Sequence, residues 1–374
     1  MADISTQIMR HLYRKASKEK IPFSGTFELT PCCNMDCKMC YVRMSKEEQR
    51  KTGKRELTAK EWISLAKEAK ECGMGTLLLT GGEPFLRSDL EEICREVQQM
   101  GILLNMNSNA TMIDERAIEW LKKSPPTRVN VTLYGGSNAS YERLCGNPNG
   151  YEQAIRGIRL LREAGIFVNI NVSLTPYNSG DMEAIFQKIH EFGLAARPTA
   201  YMFPPVRRTD GRVEDSARFS PEEAGQCQVK ADQLKLGQER FEARVKALHQ
   251  GICCMDEENE CIRDSEKPIS CMAGTAAFWM TWDGRMLPCG MMNEPCFYPL
   301  EVGFQKAWTE TVKAIEEAEI HNGCGTCGKR FACPVCRALI LAETGDLKEK
   351  PKYLCRMTDT YLEANEKIYK KIML

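Results

Sequence analysis

"TFELTPCCNMDCKMCY", residues 26–41, runs from a short apolar stretch straight into four cysteines within ten residues. Thr26–Pro31 reads as a strand that ends at the cysteines. Downstream, "LTAKEWISLAKEAKECG" (57–73) reads as a helix opened by a Thr58/Glu61 capping box and stopped by Gly73. "TLLLTGGEP" (76–84) is a buried strand running into a glycine turn, and Ser88 with Glu91 predicts a second capping box before "LEEICREVQQMG". Strands "ILLNMNSNA", "RVNVTLYGG", "FVNINVSLT" and "ARPTAYMFPP" follow, with helices near 113–123, 150–164 and 181–192 among them. Most of these strands are apolar nearly throughout, as strands buried on both faces are, which predicts a parallel sheet with helical crossovers. Right-handed crossovers curl six such units into an α/β fold, a partial (β/α)6 TIM-like barrel. Active residues then belong at the C-terminal strand ends. The cysteines, Gly81–Pro84, Asn107 and Asn109, Thr132 and Tyr134, and Tyr201 all fall there.

Composition narrows the class. Of 374 residues, 43% are hydrophobic and 27% charged, and Lys+Arg balances Asp+Glu at 51 each. That balance gives no reason to expect nucleic acid or a polybasic membrane anchor as partner. The N-terminus lacks a signal-peptide pattern, and no apolar run approaches the roughly 18 residues of a membrane span. The expectation is a cytoplasmic protein. A reducing compartment argues against a disulfide framework, so the 19 cysteines point to metal.

The strand–helix alternation stops near 205. Residues 1–22 read as an N-terminal extension, 23–205 as the barrel, 206–267 as a linker and bridging helix, and 268–374 as a small Cys-rich domain. Ser220-Pro221-Glu222-Glu223 opens a helix to about 249. After 250 the chain reads as short of regular elements. The exceptions are a hairpin turning at Asp283-Gly284 and a helix near 304–319. Its small apolar content predicts folding around metal.

Within the opening stretch one spacing stands out: Cys33-x3-Cys37-x2-Cys40, followed by Tyr41. Three such thiolates can hold three irons of a [4Fe–4S] cube and leave the fourth without a protein ligand. A structural zinc site closes with four ligands, and none lies just downstream. Cys32 falls outside the spacing and reads as a bystander. The pattern resembles the radical S-adenosylmethionine (SAM) superfamily. The resemblance implies that Cys33, Cys37 and Cys40 hold a SAM-binding [4Fe–4S] cluster, and that Gly81-Gly82-Glu83 grips the methionine amino group. It places Tyr41 near the adenine, and Asn107, Asn109, Thr132 and Arg143 near the ribose and carboxylate. From the residues alone, Asn107, Asn109 and Thr132 equally satisfy backbone at strand ends. Arg143 equally reads as an ordinary surface arginine. The chemistry implied is reductive cleavage of SAM to a 5′-deoxyadenosyl radical that abstracts hydrogen from a substrate.

The second cysteine block has its own arithmetic. Cys271-x12-Gly284-x4-Cys289 is followed by Cys324-x2-Cys327-x5-Cys333-x2-Cys336 and then Cys355. This resembles the SPASM domain, which carries two auxiliary iron–sulfur clusters, although the family usually has three residues between the fifth and sixth cysteines. The resemblance assigns Cys271, Cys289 and Cys336 to one auxiliary cluster, and Cys324, Cys327, Cys333 and Cys355 to the other. The first lacks a fourth ligand; Cys253, Cys254, Cys261, Cys296 or an open position are the options. Taken alone, Cys324, Cys327, Cys333 and Cys336 also read as a zinc ribbon. Cys72, Cys94 and Cys227 read as buried small hydrophobes, and Cys145 either as buried or as a hydrogen donor beside the site.

SPASM-bearing relatives mostly act on peptides or proteins. The resemblance therefore implies three [4Fe–4S] clusters, SAM, a precursor peptide substrate and an electron donor such as flavodoxin or ferredoxin. About 24 residues precede the first strand, too few for a leader-binding domain, so the expectation is either a separate leader-binding protein as a further partner or peptide binding through the barrel mouth and bridge. Arg207 and Arg208 are candidates for substrate carboxylates. Two alternatives stay open: a formylglycine-forming dehydrogenase of the sulfatase-maturing kind, and a non-catalytic iron–sulfur or zinc protein.

Overall fold

Apolar strands bounded by glycine turns pair in chain order. β1 (Ser24–Glu28), β2 (Thr76–Thr80), β3 (Leu103–Ser108), β4 (Arg128–Thr132), β5 (Val168–Ser173) and β6 (Ala195–Thr199) are all parallel, each beside its predecessor. The computed structural model describes residues 4–204, 207, 217–252, 271–318, 320 and 322–374. Cys253, Cys254, Cys261 and Arg208 lie outside the described residues.

The helices follow the strands. α1 (Ile4–Glu19) precedes β1, and α2 (Lys46–Lys51) and α3 (Ala59–Glu71) follow it. α4 (Leu90–Gln99), α5 (Glu115–Lys123), α6 (Asn138–Cys145), α7 (Gly150–Glu163) and α8 (Met182–Glu191) complete the crossovers. α3 buries Trp62, Leu65, Ala66 and Ala69, spaced i, i+3, i+4, i+7, and sets Trp62 against Phe27 of β1 with ring centroids 4.8 Å apart. Both oxygen partners of the Thr58/Glu61 capping box are present. The box expected at Ser88/Glu91 is not. The α4 N-cap is Asp89, without a side-chain cap bond, because Arg87 holds both its carboxylate oxygens at 2.8 and 2.6 Å.

Beyond residue 268 the structure departs from the expected division. β7 (Ala277–Met280) pairs parallel with the outer edge of β1, Ser24 opposite Ala277, and β8 (Met286–Leu287) turns back antiparallel on β7. The sheet therefore has eight strands, ordered β6-β5-β4-β3-β2-β1-β7-β8, and crosses the expected boundary. Gly284 makes the hairpin turn at φ +89°, a value glycine adopts without strain.

α9 (Pro221–His249) opens with the full Ser220/Glu223 capping box and kinks at Gly237. α10 (Pro299–Val302), α11 (Phe304–Glu317) and α12 (Arg337–Thr344) follow the hairpin. The final helix, α13 (Lys352–Ile372), was not expected from the cysteine-rich tail. It packs along α9, where Tyr361 donates to the buried Asp232 at 2.8 Å and Arg244 reaches the same carboxylate at 3.2 Å.

Candidate active site

The loop that leaves β1 is fixed at both sides. Asp36 N–H donates to Cys145 C=O at 2.8 Å and Lys38 N–H to Leu144 C=O at 3.0 Å, docking the loop on the end of α6. Met44 N–H closes it back onto Pro31 C=O at 2.9 Å. Cys33, Cys37 and Cys40 thereby line one cavity of about 290 Å³ at the C-terminal ends of the strands. Tyr41, Gly81, Gly82, Asn107, Asn109 and Thr132 line it too. Arg143 does not; it is exposed on α6.

The sulfurs are supplied with donors. Met35 N–H lies 3.4 Å from Cys33 Sγ, Arg43 N–H 3.3 Å from Cys40 Sγ, and Asn109 Nδ2 3.7 Å from Cys33 Sγ. Such N–H groups stabilise thiolate charge and tune iron–sulfur clusters. Burial pushes the Cys33 thiol up; a hydrogen bond to Cys145 and burial do the same for Cys37. Bound iron reverses that logic by holding the thiolates directly. Among the described residues no three His, Cys, Asp or Glu side chains close around a single metal ion. Three sulfurs lining an open cavity, two of them supplied with N–H donors, fit a multi-iron cluster with one unliganded iron.

The glycines that line the cavity also fasten their turn to the cysteine loop. A Cβ on Gly81 would sit 2.5 Å from Thr30 O, and one on Gly82 only 2.1 Å from Cys32 O. Gly82 N–H and Glu83 N–H donate to those two carbonyls at 2.7 and 2.9 Å. The turn after β2 is thus clamped to the cysteine loop itself. The Glu83 carboxylate is fully buried. It accepts from Ser108 Oγ at 2.9 Å, Asn109 N–H at 2.8 Å and Phe85 N–H at 3.2 Å. Burial, against these bonds, pushes it up to about 7. Ser108, missed in the sequence, was legible only as a polar residue in an apolar strand.

Asn107 accepts from Asn130 Nδ2 at 2.9 Å, and Asn109 bonds Asn34 at 2.9 Å, so both asparagines are anchored while still lining the cavity. Tyr41 packs edge-on against Phe203, centroids 4.7 Å apart. Arg207 is not available to a substrate carboxylate. Its guanidinium holds buried Glu28 at 2.5 and 2.9 Å, and Trp279 Nε1 donates to the same carboxylate at 2.9 Å. The chain after β6, the end of β1 and β7 are locked together there, and Trp279 joins the cavity wall.

The tail cysteines fall into two neighbourhoods. Cys336, pushed up to about 12 by burial, lies within electrostatic reach of Cys271 and Cys289. Cys324 has Cys355, Cys333 and Cys327 as electrostatic neighbours. Cys296 stands apart, bonded to Tyr298 and facing Arg285 and Glu294. Tyr41 lies between the two ends of the molecule's chemistry, with Cys289 and Cys40 both in reach. Cys94 and Cys145 are buried, Cys72 and Cys227 half-buried.

Beside this parallel partial barrel with a three-thiol cavity at its strand ends stands a match in sequence: residues 27–189 fit the profile of the Radical SAM superfamily. Those residues carry a Radical SAM domain. The AdoMet-dependent heme synthase of Methanosarcina barkeri is 26% identical over 338 residues, covering 87% of this chain and 94% of that protein. Among solved structures, Streptococcus suis SuiB bound to S-adenosylmethionine superposes with a TM-score of 0.65 at 17% identity, over 93% of this chain and 81% of that one. Native anSMEcpe with bound AdoMet gives 0.66 at 16% identity, over 94% and 99%. At these identities the structural likeness is one of fold. Among the described residues no helix is long and apolar enough to cross a membrane.

Proposed function

We propose that this radical SAM enzyme is of the SPASM kind, carries two auxiliary clusters, and matures a ribosomally made peptide by abstracting hydrogen from it. The observation that carries the reading is the separation of the tail cysteines into two neighbourhoods, one of which faces the cavity through Tyr41. When bound, the first cluster and SAM supply a 5′-deoxyadenosyl radical. The chain's part is to hold and orient. Cys33, Cys37 and Cys40 hold the cluster, and the N–H groups of Met35 and Arg43 stabilise its sulfurs. The Gly81-Gly82 turn, Asn107, Asn109 and Thr132 line the space for SAM, and Tyr41 with Phe203 closes one wall and excludes water. Cys271, Cys289 and Cys336 make one auxiliary set, and Cys324, Cys327, Cys333 and Cys355 the other. SuiB was solved bound to its precursor peptide SuiA, which supports a peptide as the substrate class.

The test is anaerobic. Reconstituted protein given SAM, dithionite and a candidate precursor peptide should yield 5′-deoxyadenosine and a peptide of altered mass, both lost in the Cys33→Ala variant. Zinc without iron in anaerobically purified protein would sink the reading. A second reading has one observation in its favour: the heme synthase alignment spans 94% of that protein. It makes a heme-precursor iron porphyrin the substrate. Product from the porphyrin and none from peptides would establish it in place of the first.

A further inference from the structure

Two of the three cavity sulfurs, those of Cys33 and Cys40, take backbone N–H donors, whereas Cys37 has two side-chain partners. One is the hydroxyl of Tyr134 and the other the thiol of Cys145. Tyr134 follows β4 by two residues and lines the same cavity as the three cysteines, all of which lie within its electrostatic reach. Cys145 ends α6 and is fully buried.

Both partners are fixed in place. Tyr134 N–H donates to Tyr141 Oη at 3.2 Å, and Tyr134 C=O accepts from Asn178 Nδ2 at 2.8 Å. Tyr141 and Asn178 are fully buried, and the Tyr141 ring stands edge-on to the Tyr134 ring with centroids 6.0 Å apart. Asn178 is held in turn, donating to Ser173 C=O at 2.9 Å and accepting from Thr175 N–H at 2.8 Å. The main chain at Tyr134 is thereby satisfied, and its hydroxyl is directed at Cys37. Cys145 is tied to the cysteine loop by the main-chain bonds on either side of Cys37, from Asp36 N–H to Cys145 C=O and from Lys38 N–H to Leu144 C=O.

We propose that Tyr134 and Cys145 are positioning residues for the first cluster: they donate to Cys37 Sγ and make the cluster easier to reduce. The inference rests on the reading above that Cys33, Cys37 and Cys40 hold that cluster. A Cys37 thiolate held by iron has no proton to give, so in the pair with Cys145 the S–H of Cys145 is the donor. The phenol of Tyr134 keeps its proton at neutral pH and donates as well. Reduction adds one negative charge to the cluster and its sulfurs, and a donor aimed at a sulfur stabilises that added charge.

Anaerobic redox titration of the loaded protein without SAM, followed by electron paramagnetic resonance, tests this. The signal missing from Cys33→Ala identifies the cluster. Tyr134→Phe keeps the ring and removes the hydroxyl. In it the ratio of reduced to oxidised cluster at a fixed potential should fall about tenfold, a midpoint lower by about 59 mV. Cys145→Ala should shift the midpoint the same way by less, since a thiol is the weaker donor. The midpoints of the remaining signals should match the wild type in both variants. An unchanged midpoint in Tyr134→Phe would overturn the proposal, as would an equal shift of every signal. If Tyr134→Phe takes up no cluster, Cys145→Ala decides, and an unchanged midpoint there overturns the proposal. Absence of any Cys33-dependent signal in the wild type would overturn the underlying reading instead.

Discussion

Arg207→Met should be among the most damaging single changes in the molecule outside its cysteines. Glu28 is fully buried on β1, and Arg207 offers it two bonds of 2.5 and 2.9 Å from a side chain only 6% exposed. Removing the guanidinium leaves a carboxylate in the interior with, among the described residues, Trp279 Nε1–H as its side-chain donor. Breaking a buried pair from one side costs about 3–5 kcal/mol, mostly the penalty of the abandoned charge. With a urea slope of about 3–4 kcal/mol/M for a chain of this size, the midpoint should drop by roughly 1 M. Tryptophan fluorescence follows the transition, and Trp279 reports from the site itself. The deciding variant is Glu28→Gln/Arg207→Met. It keeps an acceptor for Trp279 and removes the uncompensated charge, so it should recover at least half of the loss. If the double variant is no more stable than Arg207→Met, the cost is lost packing and the charge argument is wrong.

Gly82→Ala, whose Cβ would lie 2.1 Å from Cys32 O, should displace the cysteine loop and lower iron content on anaerobic purification. Burial raises Glu83 from its unfolded value to about 7, so its contribution to stability is complete below the unfolded value and is lost as pH rises to 7. Relative to Glu83→Gln, the wild type should therefore lose up to about 3 kcal/mol between those limits, read from urea midpoints across pH; parallel profiles would refute it. Cys33→Ala, Cys37→Ala and Cys40→Ala should each abolish 5′-deoxyadenosine formation while two thirds of the iron remains, by elemental assay. Chelating iron should expose the Cys324–Cys336 segment to limited proteolysis, because few regular elements cross it.

The barrel was legible because its signals are local. Apolar strands, glycine stops and the Thr58/Glu61 and Ser220/Glu223 boxes each use neighbours within a few residues. The cysteine spacing was legible for the same reason. What escaped depends on distant partners. Ser88/Glu91 reads as a cap until Arg87 captures Asp89. Arg207 reads as a free cation until the fold delivers Glu28. β7 reads as half of a self-contained hairpin, because nothing in "FWMTW" announces that its partner is residue 24. α13 is the exception: its buried Leu354, Met357, Thr358, Tyr361 and Asn365 carry a plain helical period. The preceding cysteines drew the reading away from it.

The place of β7 has a consequence in time. The free edge of β1 is a row of unpaired backbone groups until Ala277 arrives, about 250 residues later. At about 5–20 residues per second, a ribosome takes tens of seconds to supply it. Throughout that interval the strand that carries the cysteine loop lacks one neighbour and Glu28 lacks Trp279, and for most of it Arg207 is missing too. Pairings so far apart in the chain form slowly. The nascent protein therefore presents its three cysteines on an unfinished scaffold, and iron delivery must either wait for the chain's end or be guarded until it comes.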